Sequence, residues 1–242
     1  MGTVKTEGII IKEVKYGDSD KIYTLFTKEF GKISAKAKGV CSPKSRLMHG
    51  TNFLCYSKFI LYQYPKSYMI SQCDVIHNFY QLSEDIVKVS YAAYFADLIN
   101  ELSAENEPHE AVLRLFLNSL YLLKEGKKPE QLIKFVFELR LMCESGYAPD
   151  LTESGGTLGY FDIAQGKLVG YDSLNRIRML ELSAAEIRAM QYVINADEKS
   201  IFSFTCGDEL LSRLNEISKN YLLYHLEKTP KTLKFLEDIK NI

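Results

Sequence analysis

Two hydrophobic rhythms divide this chain. Up to about residue 80 the apolar positions fall in short runs rich in β-branched and aromatic residues: 8–14 (GIIIKEV), 21–27 (KIYTLFT), 32–38 (KISAKAK), 53–64 (FLCYSKFILYQY) and 68–76 (YMISQCDVI). Turn signals separate them, among them Tyr16-Gly17-Asp18-Ser19-Asp20, Glu29-Phe30-Gly31 and Pro65-Lys66. Five strands in so short a stretch predict a small barrel. From Ser83 the period changes to that of a helix in 83–103, 108–124 and 129–145, the last followed by a Gly146 stop. A hairpin is expected around Ala164-Gln165-Gly166. Ser183 and Glu186 have the spacing of a capping box opening a helix over 184–195, and Asp208 is placed to cap a long helix through 226. The fold class expected is therefore α+β: a barrel over 1–80, then a mainly helical domain over 81–242 with a small β-hairpin insertion at 150–175.

Charge sharpens this division. The formal net charge is only -1, yet residues 1–80 hold 12 Lys and Arg against 6 Asp and Glu, and the remainder 18 against 25. A basic module joined to an acidic one is the expected footprint of a polyanion-binding part attached to something else. The basic excess is densest in GKISAKAKGVCSPKSR, Gly31 to Arg46, which has no acid. Side chains alternate along a strand, so Lys32, Ser34, Lys36 and Lys38 fall on one face and Ile33, Ala35 and Ala37 on the other. Same-face neighbours stand roughly 6–7 Å apart, comparable with the phosphate repeat of a nucleic-acid strand. Lys44 and Arg46 continue the charge into a loop. A row of this kind neutralises phosphates and releases counterions, whatever the base sequence. Nearby tyrosines, Tyr16 and Tyr23 foremost, are candidates to stack on unpaired bases.

Other classes find less support. Hydrophobic residues at 46% and charged residues at 25% describe an ordinary folded chain, not a disordered one. No apolar run has the roughly 18 residues of a membrane span, and the opening residues lack the pattern of a secretory signal. The five cysteines are scattered and form no C-x-x-C pair, which indicates neither a disulfide framework nor a zinc site and fits reduced thiols in a cytoplasm. No common catalytic motif is present. The Gly17-Asp18-Ser19-Asp20 block is similar to a short esterase motif but reads as a turn, so no enzyme, cofactor or metal is expected.

Residues 6–47, TEGIIIKEVKYGDSDKIYTLFTKEFGKISAKAKGVCSPKSRL, strongly resemble the N-terminal domain of the RecO family of bacterial recombination mediators, and the likeness resumes in FELRLMCESGYAPDL (137–151) and KTLKFL (231–236). The resemblance implies an OB-fold barrel, a helical domain and a zinc-binding element. It implies a non-enzymatic DNA repair protein that binds single- and double-stranded DNA and anneals single strands. The expected partners are RecR and the acidic C-terminal tail of single-stranded-DNA-binding protein (SSB), and the expected task is to help load RecA. The location would be cytoplasmic, at the nucleoid.

Two departures stand out. Where many relatives place C-x-x-C pairs, this chain has Ser154-Gly-Gly-Thr157 and Gly170-Tyr-Asp-Ser173. These residues cannot replace thiolates as tetrahedral zinc ligands, so the hairpin is expected to hold by packing of Leu158, Tyr160, Phe161 and Leu168. Where relatives often have more Arg, this chain has Val40-Cys41-Ser42, which leaves phosphate contacts to Lys32, Lys36, Lys38, Lys44 and Arg46. A tail ending in acids, a hydrophobe and a carboxylate needs an apolar pocket edged by cations; Arg114, Lys134 and Arg140, flanked by Phe116, Phe135 and Leu141, are the candidates. The competing reading is an adaptor that docks SSB tail and RecR with little direct DNA binding.

Overall fold

The computed structural model describes residues 2–65, 67–152, 158–170 and 179–240. Five strands come first: β1 (Gly2–Tyr16), β2 (Asp20–Thr27), β3 (Gly31–Ala37), β4 (Cys55–Tyr64) and β5 (Ser67–Asn78). They close into a barrel in the order β1-β2-β3-β5-β4, with β4 returning to β1. All neighbours are antiparallel except β3 and β5. This is the five-stranded OB-fold expected from the sequence. Its interior is filled by Ile10, Tyr23, Leu25, Ile33, Phe59 and Leu61, among others.

Local features follow from chain chemistry. Ile9, Ile10 and Ile11 are all buried, with Ile10 in the barrel core, so this stretch of β1 is covered on both faces. A register shift between Ile10 and Lys12 leaves Ile11 without a partner on β2, a bulge that bends the strand. Gly31 sits at φ +61, and a Cβ there would lie 1.9 Å from the Glu107 carbonyl oxygen, so both conformation and space require glycine.

The helices are α1 (Ile86–Leu102), α2 (Glu110–Glu125), α3 (Glu130–Glu144), α4 (Ala184–Asn195), α5 (Asp208–Leu226) and α6 (Lys231–Lys240). α1 is capped by Asp85, whose carboxylate accepts the N–H groups of Val87 and Lys88, not by Ser83, because Tyr80–Glu84 form a 3-10 turn first. The Ser183–Glu186 capping box opens α4 as expected. α5 begins at Asp208 but takes Gly207 as its cap.

A three-stranded sheet completes the fold: β6 (Leu158–Asp162), β7 (Lys167–Val169) and β8 (Met179–Ser183), ordered β7-β6-β8. β6 and β7 are the hairpin read from the sequence; β8 and α6 were not foreseen. Phe161, on the central strand, is fully buried against the ring of Tyr221 at 5.3 Å. Residues 154–157 and 171–173, where relatives would carry zinc ligands, and the Leu158 side chain lie outside the described residues.

Chain contacts divide the molecule into two compact units. One comprises residues up to Lys124 together with those from Phe235 onward; Glu125–Lys234 form the other. The change of hydrophobic rhythm near residue 80 thus marks the end of the barrel, while α1 and α2 belong to the same compact unit as the strands. Among the described residues no helix is long and apolar enough to cross a membrane.

Candidate nucleic-acid interface

Outward positions of β1, β2 and β3 form one surface. Cross-strand register aligns Val14 with Ile22 and Ile22 with Lys36 in one row, and Lys12 with Thr24 and Thr24 with Ser34 in the next. Val14 and Tyr16 are about half exposed. The first row continues from Lys36 to Met69 on β5 and from Met69 to Tyr62 on β4, where Tyr62 and Tyr64 are also exposed. The first row thus sets one cation, Lys36, among apolar and aromatic groups from several strands.

Burial along β3 bears out the alternation: Ile33, Ala35 and Ala37 are buried, and Lys32, Ser34, Lys36 and Lys38 face outward. The three lysines nonetheless differ in what they meet. Lys32 Nζ donates to the Asn100 carbonyl near the end of α1 at 2.6 Å, and its own carbonyl accepts the Asn106 N–H, so this cation fastens the strand to the helix. Lys36 Nζ lies 3.0 Å from an Asp20 carboxylate oxygen and 4.3 Å from the centroid of the Tyr16 ring. Lys38 is exposed and forms no ion pair among the described residues. Lys44 and Arg46, in the loop after β3, are likewise exposed and unpaired there.

Asp20 organises this end of the barrel. Its Oδ1 accepts the Gly39 N–H at 2.8 Å and the Ser19 hydroxyl at 3.2 Å. The bond from Gly39, then that from Lys36, holds its carboxyl below the usual carboxylate range. The Ser19 carbonyl accepts the Cys41 N–H at 3.0 Å, so the β1–β2 turn pins the start of the basic loop. Asp20 escaped notice in the sequence because it reads as turn punctuation. Its position two residues after Asp18, at the first position of a strand opposite Tyr16, was the available signal.

Two expectations need correction. Tyr23 is 1% exposed and donates its hydroxyl to Thr51 within the barrel; strand alternation turns it inward, so no base can reach its ring. Each of the three cations expected for a protein tail is instead engaged within its own unit. α3 is buried on nearly every side, and Lys134 is enclosed with Glu138, their charged atoms 2.8 Å apart. Arg140 donates to the Ile194 and Val193 carbonyls at the end of α4. Arg114 pairs with Glu110 one turn earlier on its own helix. Phe116, Phe135 and Leu141, the expected apolar floor, are fully buried.

A cleft of about 440 Å³ elsewhere in the barrel unit is lined by Lys5, Lys28 and Lys58 but equally by Glu7, Glu29 and Asp74. Its balanced charge suits a polyanion less well than the face around Lys36.

The chain is similar to known proteins along its length. Residues 1–79 match the family model described as Recombination protein O N terminal, and residues 83–234 match Recombination protein O C terminal. The chain is 38% identical over 250 residues to the DNA repair protein RecO of Acetivibrio thermocellus, covering 100% of this chain and 99% of that one. It is 30% identical over 236 residues to the protein of the same name from Alkaliphilus metalliredigens, covering 93% and 94% of the two chains. Against that of Caldicellulosiruptor bescii it is 28% identical over 246 residues.

Proposed function

The chain belongs to the RecO family, with a role in DNA repair and recombination, and from that premise we propose that residues 1–80 are its nucleic-acid-binding domain and that it binds and anneals single-stranded DNA. In this reading it acts without chemistry of its own, working with RecR on SSB-coated DNA to help load RecA, and residues 81–242 serve partner contacts. The observation that carries the DNA-binding part is that Lys38, just past the end of β3, and Lys44 and Arg46 in the loop after it are exposed and form no ion pair among the described residues.

The test is fluorescence anisotropy of a labelled single strand titrated with the protein across a range of salt. Each phosphate neutralised on a single strand contributes a slope of about -0.7 in log K against log salt. Replacing Lys38, Lys44 and Arg46 together by Ala is expected to flatten the slope by about 2 and to weaken binding to all sequences alike. An unchanged slope would remove phosphate neutralisation from this loop. Absence of binding at low salt, with retained binding of a peptide ending in the acidic SSB tail, would favour the adaptor.

A further inference from the structure

Lys36 differs from the other cations of its face in a way that assigns it a different task. Its ammonium already has an anion, the Asp20 carboxylate at 3.0 Å, and already rests against a ring, that of Tyr16 at 4.3 Å. The carboxylate is fixed in turn by the Gly39 N–H and the Ser19 hydroxyl. Tyr16 remains 53% exposed, so the ring is supported by the cation and still largely open to solvent. Cation and ring attract through the ring's negative face, and a side chain held in this way loses less freedom when a ligand settles on it.

We propose that Asp20, Lys36 and Tyr16 form a pre-assembled stacking platform for one unpaired base of a nucleic-acid strand, with Tyr16 as the contact surface and Lys36 and Asp20 as positioning residues. The inference rests on the DNA-binding reading above and divides the work within that site. Lys38, Lys44 and Arg46 meet phosphates; Lys36, neutralised by Asp20, releases few counterions. A phosphate reaching Lys36 would only replace one anion by another. A base on the ring adds a contact that a duplex, with its bases stacked inside, does not supply. The platform therefore discriminates strands with unpaired bases from duplex DNA. Continuity with Val14 and Ile22 on one side, and with Met69 and Tyr62 on the other, gives neighbouring bases apolar surface to follow.

The experiment compares binding of a labelled single strand and a labelled duplex to the intact chain and to Tyr16→Leu, Tyr16→Phe, Lys36→Ala, Lys36→Arg and Asp20→Asn, each across a salt series. Tyr16→Leu and Lys36→Ala are expected to weaken single-strand binding on the order of tenfold. Tyr16→Leu should leave duplex affinity and both salt slopes unchanged, Lys36→Ala, which bares the Asp20 carboxylate, should also weaken duplex binding slightly, and the two substitutions together should cost little more than Lys36→Ala alone. Tyr16→Phe keeps the ring and Lys36→Arg keeps a cation against it, so both should restore single-strand binding. Asp20→Asn retains acceptors for Gly39 and Ser19 but frees the Lys36 charge; it should steepen the slope by about 0.7 and narrow the preference for single strands. A flatter slope in Lys36→Ala with the preference unchanged would make Lys36 a phosphate contact and overturn the platform. Normal binding by all five variants would overturn it while leaving DNA binding intact. Failure of the unaltered chain to bind either DNA would overturn both readings.

Discussion

Each compact unit contains a lysine–carboxylate pair of nearly the same length: Lys36 with Asp20 at 3.0 Å in the barrel unit, Lys134 with Glu138 at 2.8 Å in the helical one. Solvent separates them. The side chains of the first pair are 34% and 21% exposed, those of the second 7% and 0%. A charge pair at the surface stays within reach of a ligand; one inside a helical core does not. Residue types and spacing made both lysines look like binding cations. Burial makes one a component of a site and the other a component of the core. Ser218 on α5 supports the buried carboxylate with a 2.6 Å bond from its hydroxyl, so the pair ties α3 to α5 within their unit.

This contrast can be broken most severely at Glu138. Glu138→Ala leaves the Lys134 ammonium without this carboxylate and is expected to cost about 3–5 kcal/mol in urea denaturation. Replacing Lys134 and Glu138 together by Met should recover most of that loss, since Ser218 keeps the Asn215 carbonyl as an acceptor. A double variant as unstable as the single one would mean that the charge pair itself supplies the stability. Neither change should alter the salt slope of DNA binding under folding conditions.

The next effect is at Gly31, where the barrel backbone meets the segment after α1. Gly31→Ala forces a left-handed residue and a side chain into the space of the Glu107 carbonyl, with an expected loss of about 2–4 kcal/mol. Thermal unfolding checks it, and a loss below about 0.5 kcal/mol would show that the segment yields.

A finer cut compares Lys32 on β3 with Lys38 just past the end of that strand. Lys32→Ala removes the bond to Asn100 and is expected to cost about 1–2 kcal/mol of stability with little change in salt slope. Lys38→Ala should do the reverse: stability within about 0.5 kcal/mol and a slope flatter by about 0.7. Equal effects of the two substitutions in both assays would mean that position on the face matters more than the partner.

The smallest effect expected is one of pH in the helical unit. His225 lies between Tyr147, Tyr221 and Tyr224 at 4.6, 4.7 and 5.2 Å, and burial pushes its imidazole below the usual range. With the folded value the lower one, the unfolded chain takes up the proton first. Stability is then full above the ordinary histidine range and declines as pH falls through about 6.5. His225→Gln should remove that part of the dependence in denaturation curves taken between neutral and mildly acidic pH; an identical decline would place its source elsewhere.

The sequence determined the alternations. Period two in KISAKAK put three lysines outward and Ile33, Ala35 and Ala37 inward, and the Ser183–Glu186 spacing opened α4 at its observed residue, because backbone geometry and local hydrogen bonds act over a few neighbours. β8 and α6 lacked so clear a signal: β8 is a five-residue strand beside β6, and α6 was read only through KTLKFL as a likeness. What the tertiary structure alone decided is the company each charge keeps. Lys32 meets a carbonyl on a helix 68 residues further on, Lys36 meets the carboxylate of the neighbouring strand, and Lys134 is enclosed by its own unit. The free energy of a cation depends on the dielectric and the partners around it, and those are set by packing between segments distant in the chain.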